Sequence, residues 1–509
     1  MTAENASEPK AAVPPGLRSE GACDRATREG GAQKRPEASR AEKTADVVVV
    51  GFGIAGGCAA VEAAAAGASV LVLERAAAAG GTSALAGGHF YLGGGTVVQR
   101  ATGHRDTPAE MYAYLMAVTP EPEAGKIRAY ADGSAEHCDW LEGLGFEFER
   151  SYYPEKAVIQ PQTQGLMYTG NEKVWPFRDL AVPAPRGHKV PVPGDTQGAK
   201  LVIDLLVRRA EQLGVEVWYS AGATELITDA GRVRGVRWRS YEQAGEVLAR
   251  GTILAAGGFV MNREMVAEHV PQLAEKPFVL GTTYDDGLGI RLGVSAGGQA
   301  LHMDQAFITA PFYPPGRLLT GIVVNRDGRR FVAEDSYHSR TSAFVLEQPG
   351  SAAFLIVDSA HMAYPQMPLV PLIDGWESVA EMERGLGIPP GNLAATLAAY
   401  NAAAARGEDP EFRKHPDWLE PQDTGPWAAF DLTLGRAVYA GFTLGGLRCT
   451  VDGQVQRADG SVVAGLYAAG ACASNIAQDG KGYSSGTQLG EGSFFGRRAG
   501  RHAARAAGP

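Results

Sequence analysis

The chain has 509 residues, 45% of them apolar and 20% charged, which predicts a globular protein of two or three domains with an ample core. Its formal net charge of −10 argues against nucleic acid as a partner. Cys23, Cys58, Cys138, Cys449 and Cys472 show neither CxxC nor metal-ligand spacing, so they read as free thiols in a reducing cytosol, with no metal site and a cytoplasmic location.

Residues 1–43 lack aromatic side chains, alternate in charge and are rich in Ala, Pro and Gly, a composition that predicts a disordered N-terminal extension. A docking or targeting tail is the competing reading, and no apolar signal-peptide core is present. The apolar stretch Val47–Leu73 has the length of a membrane span, but Gly51, Gly53, Gly56, Gly57, Glu62 and Gly67 interrupt it. Strand, turn, helix and strand fit it better, so no stable membrane span is expected.

Asp46–Val50 suits a buried parallel strand. Gly51, Gly53 and Gly56 then give G-x-G-x-x-G, with Ile54 and Ala55 opening a helix. Ala60 and Ala63 thin the helix face toward the sheet, Gly67 ends it, and Ser69–Leu73 is the next strand. Glu74 stands at the end of that strand, followed by Arg75. Such glycines let backbone meet a pyrophosphate at a helix N-terminus, and the acid accepts hydrogen bonds from a ribose. An acid here disfavours a 2′-phosphate, leaving FAD or NAD.

The loop Gly80–Gly88, with Gly81, Thr82, Ser83, Gly87 and Gly88, replaces the helix and strand expected next in a simple NAD dehydrogenase, and resembles the second pyrophosphate and flavin loop of FAD enzymes. Gly214–Trp238 reads as strand, turn and hairpin and contains Ala223. Gly251–Asn262 is a strand ending in Ala-Ala-Gly-Gly, and it places Ala256, Gly257 and Asn262 near the cofactor. Asn392–Phe412 is an Ala-rich amphipathic helix outside any nucleotide motif. A further strand ends at Gly470, and Lys481–Gly500 then sets Tyr483, Ser484, Ser485, Gln488 and Leu489 on a glycine-rich turn before a basic helix.

Gly51–Gly56 with Glu74, Gly80–Gly88, Ala255–Asn262, "NRDGRRFVAED", "GFTLGGL" and "YAAG…FGRRAG" together resemble the FAD-dependent fumarate reductase/succinate dehydrogenase flavoprotein superfamily, over about residues 44–505. The resemblance implies an α/β fold. A Rossmann-like FAD-binding domain would be split into 44–290 and 441–505, with an α+β substrate-capping domain, 291–440, inserted between. It also implies FAD as cofactor, held non-covalently, because Gly81 stands near the His that carries the covalent bond in membrane-bound members.

Departures from the superfamily pattern narrow the substrate. Dicarboxylate enzymes of this kind need cationic clamps. Here the C-terminal loop has no Arg before Arg497, and Phe442 stands where a His is expected. Tyr337 and His338 occupy the place of the catalytic Arg, with Arg340 two residues late. A dicarboxylate among phenols and hydroxyls would leave charge unpaired at a cost of several kcal/mol, whereas a neutral ketone would suit them.

The chain is therefore most similar to 3-ketosteroid dehydrogenases, and within them to the Δ4-(5α) branch, which implies a small steroid substrate. By that resemblance Tyr483 holds the 3-keto oxygen, Ser485 takes the carbon 4 proton, Tyr337 links Ser485 to solvent and the flavin takes hydride from carbon 5. Ser484 is the alternative to Ser485, and His338 and Arg340 read as surface or supporting groups. A quinone-type or artificial electron acceptor is expected, since no NAD site remains. Competing functions are a Δ1-ketosteroid dehydrogenase, a reductase of an unsaturated acid, and a flavin-fold escort protein without turnover.

Overall fold

Val47–Val50, four β-branched residues in a row, favour an extended, fully covered backbone. In the computed structural model they are the buried centre of strand β1 (Ala41–Val50). The structure describes residues 41–158, 160–194, 197–274 and 277–506. The expected N-terminal extension lies outside the described residues as far as residue 40. Its boundary at residue 43 is corrected: Ala41–Lys43 run parallel to Gly245–Val247, and Lys43 pairs with Glu216 at 2.7 Å. A polar segment joins a sheet because its backbone groups find partners there, which composition does not reveal.

β1 leads into helix α1 (Ile54–Ala65) and strand β2 (Val70–Leu73), all of whose residues are buried. Strand β3 (Glu216–Trp218) extends the sheet beyond β2. A hairpin follows, β4 (Gly222–Asp229) and β5 (Arg232–Arg239), and then the long strand β6 (Ala244–Leu254). Much later come β7 (Gln454–Gln456) and β8 (Val462–Ala468). These make one eight-stranded sheet with the order β7-β8-β6-β1-β2-β3, and β5 joins the hairpin to β6. β6 divides its own edge: Ala244–Leu248 pairs antiparallel with β5, while Thr252–Leu254 pairs parallel with β8. The parallel core β8-β6-β1-β2-β3 gives the α/β, Rossmann-like class.

Between β6 and β7 the chain builds a second, antiparallel sheet from Ile322–Asn325, Ala353–Asp358, Trp427–Asp431 and Leu372–Trp376, in that order. Ile322, Val324, Phe354 and Ile356 pack with helix residues Met382, Leu393 and Leu397. Val323, Leu355 and Val357 face the opposite way, onto Phe312, Leu319 and Tyr439. That is the period-two alternation of a sheet covered on both faces. The helix expected over Asn392–Phe412 ends earlier, at Ala404, and Gly407 then turns the chain with φ +75°. Among the described residues no helix is long and apolar enough to cross a membrane.

The long helix α2 (Thr487–Ala506) returns to the first sheet and lies on α1. Gly496 and Gly500 rest directly on the backbone of Ala55 and Ala59, where a Cβ on either glycine would collide with a carbonyl oxygen. Glu62 of α1 pins the crossing, accepting from Arg497 Nε at 3.2 Å and from Arg501 Nη2 at 2.7 Å. Overpacking such a contact costs roughly 1–3 kcal/mol. Gly500→Ala is therefore expected to lower both the melting temperature and the flavin-to-protein absorbance ratio, while Arg505→Ala on the exposed side of the same turn changes neither. Wild-type melting and flavin content in Gly500→Ala would show that the helices are not held at backbone contact.

Candidate active site

The turn after β1 is closed by its neighbours. Gly51 adopts φ +97°, and a Cβ there would stand 2.5 Å from Ala255 O. A Cβ on Gly56 would collide with Gly51 O. Gly53 is the N-cap of α1 and offers no side chain to its first N–H groups; Ser83 Oγ accepts from Ile54 N at 3.1 Å. Ile54 and Ala55 are buried beneath the turn. A buried helix start whose N-cap glycine supplies no side-chain acceptor fits an anion.

Glu74, buried at the end of β2, accepts from Phe52 N and Ala76 N, both at 2.7 Å. Burial raises its pKa, and these backbone donors oppose the rise. Glu74 thus braces the glycine turn as well as standing where a ribose is expected. Arg75 pairs with Asp286 at 2.7 Å and lies over the Tyr284 ring. Arg75 and Ala223 line a groove of about 890 Å³ with Tyr284, Asp286 and Arg291.

In the loop 80–88, Thr82 Oγ1 hydrogen-bonds the Asp285 carboxylate and accepts from Thr282 N at 2.9 Å. Asp285 also presses on Gly257, where a Cβ would strike its Oδ1. Asp285 therefore organises both flanks of the turn, a role the sequence reading missed although "YDDG" offered the signal. Gly88 has φ +86° and packs on Val190 and Gly198, and a Cβ on Gly198 would in turn meet Gly87 O. Gly81 has φ +49°, with nothing among the described residues within 4 Å of where its Cβ would stand. Ala256 N donates to Cys472 Sγ at 3.1 Å, which ties the end of β6 to the segment after Gly470.

Asn262, expected near the cofactor, holds its side chain in the protein's own hydrogen bonds. Its Oδ1 accepts from Met265 N and its Nδ2 donates to Asp286 O at 2.9 Å, so it caps the helix Arg263–His269 and both polar ends are taken. Gly470 abuts Ala55. At the start of α2, Leu489 is buried and Gln488 Nε2 is buried without a partner among the described residues.

Tyr337 and Tyr483 meet in one hydrophobic cluster with Phe307, Leu444 and Ala477, and Phe442 packs against it. Strand pairing sets Phe307 opposite Phe442, and the rings stack at 4.8 Å and 14°. Tyr483 meets Phe307 edge-on at 4.7 Å and Phe442 at 5.7 Å. Tyr337 is 3% exposed and Tyr483 5%. Burial pushes both phenols well above their ordinary pKa. A side-chain hydrogen bond with Ser485 opposes this at Tyr337, and the Gln488 backbone opposes it at Tyr483 after the further upward push from Tyr337. Both phenols therefore stay protonated and available as donors at neutral pH.

Ser485 is half-buried, and its N donates to Thr169 O at 2.8 Å. Ser484 turns the other way, its Oγ lying 3.3 Å from the Tyr114 hydroxyl. Of the two serines, Ser485 is the one beside Tyr337. Tyr337 does not itself reach solvent. His338 is not at the surface either: its ring lies 4.0 Å from that of Tyr337, Nδ1 is 2.6 Å from Thr309 Oγ1, and burial lowers its pKa to about 3. Arg340 lies half-buried between the faces of Phe177 and Phe344. Phe307 was missed in the sequence because strand pairing, not local pattern, brings it here.

Residues 46–492 match the FAD binding domain family. The chain belongs to that family. Its cofactor is FAD, and it is an FAD-dependent oxidoreductase. The flavoprotein is 41% identical to the 3-ketosteroid-Δ4-(5α)-dehydrogenase of Rhodococcus jostii RHA1, solved with 4-androstene-3,17-dione; the TM-score is 0.86, over 93% of this chain and 99% of that one. It is 29% identical over 494 residues to the 3-oxo-5-alpha-steroid 4-dehydrogenase of Comamonas testosteroni, covering 84% of this chain and 92% of that one. It is 28% identical over 490 residues to a fumarate reductase (cytochrome) of Shewanella frigidimarina, covering 92% of this chain and 78% of that one.

In this flavoprotein the first turns of α2 also bury Glu491. Its Oε2 accepts from Ile476 N at 2.7 Å, and Oε1 has no partner among the described residues. Burial raises its pKa from 4.5 to about 8, against the Ile476 and Ala477 backbone donors. Between those pH values the folded chain holds a proton that the unfolded chain releases, so stability falls as pH rises through the window. From about pH 5 to about pH 9 this contribution is expected to be lost, so the melting temperature should change more favourably with rising pH in Glu491→Gln than in the wild type. Equal slopes for the two proteins would show that the carboxyl is ionised when folded.

Proposed function

We propose that this flavoprotein is a 3-ketosteroid Δ4-(5α)-dehydrogenase, which removes hydrogen from carbons 4 and 5 of a saturated 3-keto-5α-steroid. The observation that carries the reading is the set Tyr337, Tyr483 and Ser485 inside a wall of Phe307, Phe442, Leu444 and Ala477. Such a wall accepts the rings of a neutral ketone and would leave a dicarboxylate unpaired, which disfavours reduction of an unsaturated acid. A likeness that runs over nearly the whole of both chains, to a dehydrogenase of this name, supports it.

The residues present fit FAD. The turn Gly51–Gly56 and the start of α1 would hold the pyrophosphate, Glu74 the adenosine ribose, and Arg75 and Ala223 the groove at the adenine end. The unpartnered Nε2 of Gln488, with Leu489 and Gly470, would meet the flavin ring. When bound, FAD supplies the acceptor for the carbon 5 hydride.

The protein's own groups do the rest. The Tyr483 hydroxyl donates to the 3-keto oxygen and stabilises the charge that develops there. Ser485 takes the carbon 4 proton while its own hydroxyl proton moves to the Tyr337 oxygen, and the phenolic proton that buried Tyr337 gives up goes to a water molecule admitted beside it. The electron pair of the broken carbon 4–hydrogen bond passes first into the enolate held by Tyr483, and then becomes the carbon 4–carbon 5 double bond as hydride leaves carbon 5. Residues 291–440, which supply Phe307 and Tyr337, act as the cap over the FAD-binding parts 44–290 and 441–505. A quinone-type or artificial acceptor completes the cycle, because the sequence carries one dinucleotide unit and FAD takes it.

Removing one donor aimed at developing charge typically costs about a hundred- to a thousandfold in rate, which is the loss expected for Tyr483→Phe. Ser485→Ala should lose about 10²–10⁴-fold. The double variant should lose less than the product, since both groups serve one enolising step. All three should retain FAD. Anaerobic stopped-flow bleaching with 5α-androstane-3,17-dione reads these rates, and product analysis separates a 4-ene from a 1-ene. Wild-type rates in both single variants would reduce the loop to a flavin cradle and end this reading.

A further inference from the structure

Tyr337 and Ser485 come from distant parts of the chain, and the hydrogen bond between them depends on what sets their separation. The segment Thr169–Glu172 lies between them. Asn171 is fully buried, and its amide spans both sides: Oδ1 accepts from Tyr337 N at 2.9 Å, and Nδ2 donates to Lys481 O at 3.2 Å. Its own N donates to the Tyr114 hydroxyl at 2.9 Å. Two residues earlier, Thr169 O accepts from Ser485 N at 2.8 Å. Glu172 ties the segment to the interior, accepting from the Tyr91 hydroxyl and from Gly170 N, both at 3.0 Å.

We infer that Asn171 is a positioning residue that fixes the Tyr337 phenol against the Ser485 hydroxyl. An amide carries an acceptor and a donor on one carbon, so its two partners cannot drift independently. A carboxylate of the same shape offers two acceptors and would repel the Lys481 carbonyl, while an alkyl group offers neither. Tyr337 is the N-cap of the helix His338–Glu347, and Asn171 Oδ1 holds its backbone N–H. On the other side, Lys481 O sits two residues before Tyr483, so the same amide also sets the height of the loop that carries both loop groups. The inference rests on the proton path proposed for Ser485 and Tyr337.

The test uses the full-length, FAD-loaded protein with Asn171→Ala and the shape-conserving Asn171→Asp. In the absence of steroid, amide hydrogen exchange is measured at Tyr337 and across Lys481–Gly486. With 5α-androstane-3,17-dione carrying hydrogen or deuterium at carbon 4 or at carbon 5, steady-state and stopped-flow rates are measured. A small misplacement of reacting groups costs up to about a hundredfold, so kcat should fall about ten- to a hundredfold with KM little changed. The carbon 4 isotope effect should grow while the carbon 5 effect does not, because proton removal alone is misaligned. Exchange should rise at both segments, and FAD should be retained.

Wild-type rates and isotope effects in both variants, with an active wild type, would overturn the inference and leave the proposed function standing. Loss of FAD in both would overturn it too, since Asn171 would then serve the cradle. If the wild type itself is not reduced by the steroid, the proposed reaction fails and the exchange arm decides: a rise at both segments supports the clamp, and no rise overturns it. Should Asn171→Ala fail to fold, Asn171→Asp carries both arms.

Discussion

The contact between α1 and α2 sets the rest of the molecule. With glycine at 496 and 500 the two helices touch backbone to backbone at Ala55 and Ala59. The start of α2 is thereby brought over the start of α1, with Gly492 against Ile54 and Gly470 against Ala55. Glu62, held by Arg497 and Arg501, fixes the rotation about that contact. Everything just before α2, including Tyr483 and Ser485, is placed by this crossing. Helices separated by ordinary side chains would sit several ångströms further apart, and the hydroxyl-bearing turn would no longer face the groove of the glycine turn.

The other half of the site depends on buried charge. Arg330, 2% exposed at its side chain, forks onto Glu334 at 2.8 Å and onto Asp409 at 2.9 Å, and Lys414 lies 3.5 Å from Glu334. Groups so deeply covered gain little net stability from pairing, because desolvation takes most of the Coulombic return. What they confer is a fixed geometry: the segment carrying Arg330 and Glu334 runs straight into Tyr337. A second buried pair, Arg186 and Asp106 at 2.8 Å, lies beneath Tyr91, Tyr114 and Glu172, on the far side of Asn171. Tyr337 and the segment around Asn171 thus each adjoin a charged framework that resists displacement.

The cofactor half was legible in the sequence because it is local. Strand, glycine turn, helix, second strand and acid follow one another between Val47 and Glu74, and each has a chemical reason to be there. The structure adds that Glu74 serves the protein's own turn, and that Asn262 is spent on a helix cap. The substrate half was legible only in its hydroxyls. Tyr337, Tyr483 and Ser485 stand out beside a superfamily pattern that calls for cations. The wall around them does not, since Phe307 meets Phe442 through strand pairing and Asn171 reaches both sides through a chain crossing. Residues 41–43 were misjudged for the same reason: their side chains are unremarkable and their backbone is what the sheet uses.

The divided edge of β6 also governs the order of events when the chain is made. Its first half is covered at once by the neighbouring hairpin, but Thr252–Leu254 waits for β8, which a ribosome delivers long afterwards. Until then the nascent protein presents an unpaired parallel edge and half a nucleotide cradle. Such an edge is a site for mispairing and aggregation. Cofactor capture is consequently tied to completion of synthesis, and a chain interrupted before β8 lacks the last piece of the pocket in which the flavin would be retained.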